Sequence, residues 1–173
     1  SRYIDRRNFL RSSTYITGGS LLLLTSKSAI AQSSAPGRPI KCALVGCGAQ
    51  GDRIRNAAAK GLGAGMIQWV AVCDVWEYSR RKIRGAMIGE SKHQIDGDVK
   101  VYEDLQEMLD KEPSIEAVFI ATPDFLHAPQ SRLCLEKGKA VYCEKMMSNT
   151  IEGARDMVKA QQQTGGIFQI GHQ

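Results

Sequence analysis

No two cysteines in the sequence form a C-x-x-C pair, and the three histidines are scattered. The chain therefore lacks the ligand spacing of a structural zinc or thiol-redox site, and no metal is expected. Aromatic residues are scarce at 6%. No basic stretch is interleaved with them, which argues against a nucleic-acid partner. The uncharged run Ser12–Ser26, with Leu21–Leu24 at its centre, is too short and too rich in Gly, Ser and Thr for a membrane span of about 20 residues. Of the five cysteines, Cys42, Cys73, Cys134 and Cys143 fall in apolar strand or helix patterns, where a thiol acts as a small hydrophobe. Cys47 sits among glycines, in a tight space. No disulfide framework is expected.

The first residues read as an address. Arg6-Arg7 precedes the apolar run, Lys27 follows it, and Ala29-Ile30-Ala31 supplies a small-residue cleavage site. That order predicts a twin-arginine signal peptide over residues 1–31, with the export machinery as a partner and the periplasm as destination. It also accounts for the charge. Five basic residues against Asp5 give the signal +4 of the chain's formal +5, so little basic excess remains for other partners. Twin-arginine export carries folded proteins, commonly with a cofactor aboard. Residues 32–39, rich in Ser, Pro and Gly, then form a linker.

The chain after the linker is organised around Ile40–Gly51, in which an apolar strand runs into Gly46-x-Gly48-x-x-Gly51 and a helix is predicted over Asp52–Lys60. Strand, glycines and helix in that order predict a dinucleotide cradle. Gly46 permits the turn, Gly48 lets a pyrophosphate approach the backbone, and Gly51 lets helix and strand pack closely. Ala49 and Gln50 complete the turn, where helix amides and the positive dipole end face phosphate. Asp74 closes a second strand, Trp69–Cys73, 23 residues after Gly51. A carboxylate there accepts the ribose hydroxyls of an adenosine and repels a 2′-phosphate, which predicts NAD ahead of NADP. Arg80 and Arg81, a helical turn or more onward, soften that preference.

Strands and helices continue to alternate. Helices are predicted over Tyr78–Ile88, around Leu105, Met108 and Leu109, from a first turn at Pro129 to Gly138, and after Thr150 with Ile151, Ala154, Met157 and Val158 inward. Strands are predicted at Val99–Tyr102, Ile115–Ala121, Ala140–Cys143 and Ile167–Ile170, with Thr122–His127 as a loop. The pattern predicts an α/β fold with a doubly wound parallel sheet, of the NAD(P)-binding Rossmann type, over residues 40–173. Ligands of such sheets bind at the carboxyl ends of the strands. Thr122 and Pro123 lie at one such end; the Thr122 hydroxyl either meets the nicotinamide ribose or caps a turn. His127 either touches cofactor or substrate or fixes the loop, and Asp124 reads as a turn residue. Glu144-Lys145 ends another strand. Lys145 is the expected catalytic residue, holding a substrate hydroxyl and helping its deprotonation as hydride leaves the same carbon, with Glu144 bonding a ribose hydroxyl or holding the lysine.

Ala-Leu-Val-Gly-Cys-Gly-Ala-Gln-Gly, Ala-Val-Cys-Asp, Ala-Thr-Pro-Asp-Phe-Leu-His and Tyr-Cys-Glu-Lys together resemble the glucose-fructose oxidoreductase / inositol dehydrogenase (Gfo/Idh/MocA) family. The resemblance implies an NAD(P)-binding domain followed, in full-length members, by a second α/β domain that binds a sugar or polyol and that is missing here, so a fragment or truncated form is expected. It implies that Lys145 is the lysine of the family's E-K-P motif and that Gln173 stands near the nicotinamide. Met146 replaces the usual proline. The expected activity is oxidoreduction of a sugar or polyol, with a homo-oligomer expected for the full-length form. Two alternatives stand beside it: an NAD-binding module without turnover, and glycosidase-type chemistry by oxidation and elimination.

Overall fold

The computed structural model describes residues 38–61, 66–90 and 98–172. The expected signal, residues 32–37 of the linker and Gln173 lie outside them. Among the described residues the order is β1 (Ile40–Val45), α1 (Ala49–Gly61), β2 (Ile67–Cys73), α2 (Glu77–Glu90), β3 (Lys100–Tyr102), α3 (Leu105–Lys111), β4 (Ala117–Ile120), α4 (Asp124–Glu136), β5 (Ala140–Glu144), α5 (Ile151–Thr164) and β6 (Phe168–Gly171). No helix among the described residues is long and apolar enough to cross a membrane.

The six strands form one sheet in the order β3-β2-β1-β4-β5-β6, all neighbours parallel. The chain winds outward from β1 to β3, returns to pair β4 with β1, and winds outward again to β6. Right-handed crossovers in the two directions send helices to opposite faces. Side-chain alternation along β1 records this. Cys42 and Leu44 join a core with Ala58 of α1 and with Ile83 and Met87 of α2, whereas Ala43 and Val45 join Met108, Leu135 and Met157 of α3, α4 and α5. The α1/α2 face is covered over β1–β3, but Ala117 and Phe119 of β4 and Ala140 and Tyr142 of β5 stay only half-buried on that side and line an open cavity of about 380 Å³. The direction of winding changes between β1 and β4, the point at which sheets of this topology form a ligand crevice outside the carboxyl ends of the strands.

Two helix ends follow local chemistry. Asp104 accepts the Glu107 amide at 2.8 Å to cap α3, and Thr150 accepts the Gly153 amide at 3.0 Å to cap α5. The helix after β4 differs from expectation. It starts at Asp124, so residues 124–127 are helical, and Pro129 lies inside the helix rather than in its first turn. Pro123, at φ −58°, serves as the N-cap, and the carboxylate of Asp124 suits the positive end of the dipole. On α5, Met157 is buried as the pattern predicts, but Ile151 and Val158 are exposed.

All five cysteines are free and buried. Burial, ahead of any neighbouring charge, pushes the thiols of Cys42, Cys47, Cys73 and Cys134 up to about 12 and that of Cys143 to about 11. Thiolate is the reactive form, so these groups are inert near neutrality. A thiol reagent at neutral pH is expected to label none of the five in the folded protein and all of them in denaturant. Labelling of the folded protein at Cys47 would contradict its burial.

Candidate functional site

The glycine turn is built from three glycines with different surroundings. Gly46 has φ +90°, and a Cβ on it would lie 2.6 Å from the Ala121 carbonyl and 2.7 Å from the Thr122 nitrogen. A Cβ on Gly51 would lie 2.0 Å from the Gly46 carbonyl oxygen. Both positions are therefore closed by backbone. Gly48 is the opposite: its Cβ would meet nothing within 4 Å. The Gly48 carbonyl accepts the first helical bond, from Asp52 at 3.0 Å, so α1 begins here, three residues earlier than the pattern predicts. The opening amides of α1 and its dipole thus face the same open side as Gly48.

Asp74 leaves the end of β2 and reaches this turn. One carboxylate oxygen accepts the Cys47 amide at 2.6 Å, and the other accepts the Trp76 amide at 2.8 Å. Each oxygen keeps acceptor capacity beyond its backbone bond. The carboxylate is thus oriented by the turn it borders. Arg80, whose side chain is only 13% exposed, donates to the Asp74 carbonyl and lies 3.5 Å from Glu103. Its charge is committed below the acid.

Glu144 ends β5 only 2% exposed. Its carboxylate accepts from the Gln50 side-chain amide at 2.9 Å, the Tyr142 hydroxyl at 3.2 Å and the Lys145 backbone amide at 3.2 Å. All three donors are neutral, and hydrogen bonds to them offset the cost of burying the charge. The Tyr142 phenol is held above its ordinary value, chiefly by burial and then by the Glu144 charge, so it stays a donor. Lys145 is exposed, and its ammonium has no partner among the described residues. The peptide bond joining it to Met146 is cis.

The residues after β4 hold the crevice wall. The Thr122 hydroxyl donates to the Gln130 side chain at 2.7 Å, which ties it to α4 without capping that helix, whose N-cap is Pro123. His127 is 1% exposed, with Nε2 2.8 Å from the Thr122 carbonyl and Nδ1 2.7 Å from the Met146 carbonyl. With a backbone carbonyl against each ring nitrogen, the buried His127 sits between the loop after β4 and the loop after β5 rather than facing a ligand. Gln173 lies outside the described residues.

The structure therefore gathers Gly46–Gly51, Asp74, Thr122, Glu144 and Lys145 at one crevice, with Pro123 on its wall. Sequence reasoning missed the side-chain role of Gln50 and the part of Tyr142. Only the alternation along β5, which puts Tyr142 on the face of Glu144, pointed to the second. Among the described residues no cluster of His, Cys, Asp and Glu is placed to hold a metal. The fit to a dinucleotide is good: a strand-turn-helix with one open glycine, free helix amides and an acid one strand away.

Comparison with known proteins agrees. The Gfo/Idh/MocA oxidoreductase family, described as an NAD-binding Rossmann fold, matches residues 40–172. An inositol 2-dehydrogenase of Rubrobacter xylanophilus is 37% identical over 73 residues, 42% of this chain and 21% of its own length. A glycosyl hydrolase family 109 protein of Stenotrophomonas maltophilia is 27% identical over 169 residues, 96% of this chain and 35% of its own. The crystal structure of scyllo-inositol dehydrogenase from Lactobacillus casei with NAD(H) and scyllo-inositol superposes with a TM-score of 0.65 at 25% identity, covering 78% of this chain and 36% of that one. The chain thus spans little more than a third of these relatives at most. Its sheet order, glycine turn and matched span make it a member of the Gfo/Idh/MocA oxidoreductase family, with residues 40–172 as the NAD-binding Rossmann domain.

Proposed function

We propose that this chain binds NAD in the crevice between β1 and β4 and serves an exported oxidoreductase of sugars or polyols. The observation that carries the reading is the open side of Gly48 beside two glycines sealed by backbone. Gly46–Gly51 and the opening amides of α1 hold the diphosphate, and Asp74 takes the adenosine ribose. Bound nicotinamide supplies the hydride acceptor. Lys145 holds the substrate hydroxyl and eases its deprotonation, while the buried Glu144 fixes the peptide that carries it. The relatives named as inositol dehydrogenases support a polyol or sugar as substrate.

Calorimetric titration with NAD tests the site. Asp74→Ser is expected to weaken NAD binding by about 1–3 kcal/mol, the loss of a charged acceptor, and to narrow the preference over NADP. Unchanged affinity removes Asp74 from the site. Lys145→Met is expected to retain NAD and abolish turnover of sugars. Binding without turnover in the unmodified chain instead supports a module that only holds the cofactor.

One observation favours a second reading. The likeness to the glycosyl hydrolase family 109 protein covers 96% of this chain. Oxidation by NAD, elimination of the aglycone, addition of water to the resulting unsaturated ketone and re-reduction by the NADH formed hydrolyse a glycoside with no net NADH. Hydrolysis of an aryl glycoside without NADH accumulation therefore separates this from simple oxidation. That likeness also reaches into the N-terminal segment, and Arg6-Arg7 with the following apolar run supports export. Lys at both positions is expected to retain the protein in the cytoplasm; undiminished periplasmic protein rejects the twin-arginine route.

A further inference from the structure

Beside Asp74 stands an apolar patch that the fold does not use. Val75, Trp76 and Tyr78 are 80%, 63% and 62% exposed, in a chain with few aromatic residues. The Trp76 and Tyr78 rings contact each other, with centroids 5.3 Å apart and planes at 40°. The other tryptophan, Trp69, is 6% exposed and packs on Phe119. A contiguous exposed aromatic pair marks a binding surface more often than chance decoration.

The patch is fixed in place by the acid itself. The carboxylate that receives the Cys47 amide on one oxygen receives the Trp76 amide on the other at 2.8 Å. Trp76 therefore starts one hydrogen bond from the group assigned to the adenosine ribose. Two residues of extended chain span at most about 7 Å, so the indole lies within reach of whatever base that ribose carries. A purine has a flat π-face and edge acceptors, and aromatic rings stack on it with little dependence on its identity.

We propose that Trp76, backed by Tyr78, is the residue on which the adenine of the cofactor stacks, held in position by Asp74. This rests on the NAD reading given above and adds a specific anchor to it. In such a site one carboxylate orients three things: the phosphate turn through Cys47, the ribose directly, and the base through Trp76. It follows that recognition of the adenosine half is shared by NAD and AMP alike.

Fluorescence and calorimetry test it on the whole chain. NAD and AMP are each expected to quench the emission of Trp76, and Trp76→Phe should remove that response, because Trp69 is buried. Trp76→Ala should weaken NAD and AMP by the same factor, about tenfold, the range of one base-aromatic stack, and Trp76→Phe should stay within about threefold of the unmodified protein. Far-UV circular dichroism should be unchanged in both, since the residue is exposed. Trp76→Ala that binds NAD normally, while Gly48→Val does not, overturns the stack and leaves the cradle intact. A loss for NAD without a loss for AMP also overturns it. Failure of the unmodified chain to bind NAD overturns both readings together.

Discussion

Gly51→Ala is expected to leave little folded protein. The added Cβ would stand 2.0 Å from the Gly46 carbonyl oxygen, an ångström inside the 3.0 Å limit that real side chains respect. The obstructing atom is backbone. It belongs to a residue at φ +90° that is itself pressed against Ala121 and Thr122, so it cannot swing aside. Relief requires α1 to move away from β1, which would open the core around Leu44. Overpacking of this kind costs about 3 kcal/mol or more, a large share of the roughly 5–15 kcal/mol that holds a domain together. Urea unfolding followed by circular dichroism measures it. A midpoint near that of the unmodified protein would mean that the turn has slack the structure does not show.

Gly48→Val, three residues earlier in the same motif, is expected to do the reverse. Its φ is ordinary and the space beyond its Cα is open, so the side chain meets no protein atom. Valine is a poorer N-cap than glycine, a penalty of about 1 kcal/mol at most. The stability curve should therefore shift little. NAD affinity, by contrast, should fall at least a hundredfold, because the isopropyl group occupies the approach of the diphosphate to the helix amides. A variant that folds and still titrates normally with NAD would mean the diphosphate lies elsewhere. The two substitutions separate a glycine needed for packing from one needed for the ligand.

Much of this was legible from local pattern. The strand before Gly46, the acid after Cys73 and the cap at Thr150 each announce themselves within a few residues, because turn sterics and helix amides act at short range. The start of α4 was less so. A Thr-Pro-Asp stretch suits a loop as well as a cap, and Pro129 reads as a first-turn residue until the structure places five helical residues before it. The side of α5 that turns inward was only partly readable, since Ile151 and Val158 satisfy the helical spacing yet stay exposed while Ala160 is buried. The bonds that shape the crevice were not readable at all. Asp74 meets Cys47 across 27 positions and Glu144 meets Gln50 across 94, and no periodicity encodes a pairing at such separation.

The Gln50–Glu144 bond has a mechanical consequence. It fastens the opening turn of α1, grown from the centre of the sheet, to the tip of β5, two strands away. The groove is thereby braced across its width before any guest arrives, and the disorder of bringing its walls together has already been surrendered during folding. An incoming nucleotide meets a braced berth, and the backbone of the lysine beside that brace, held through its amide by Glu144, shares the fixity.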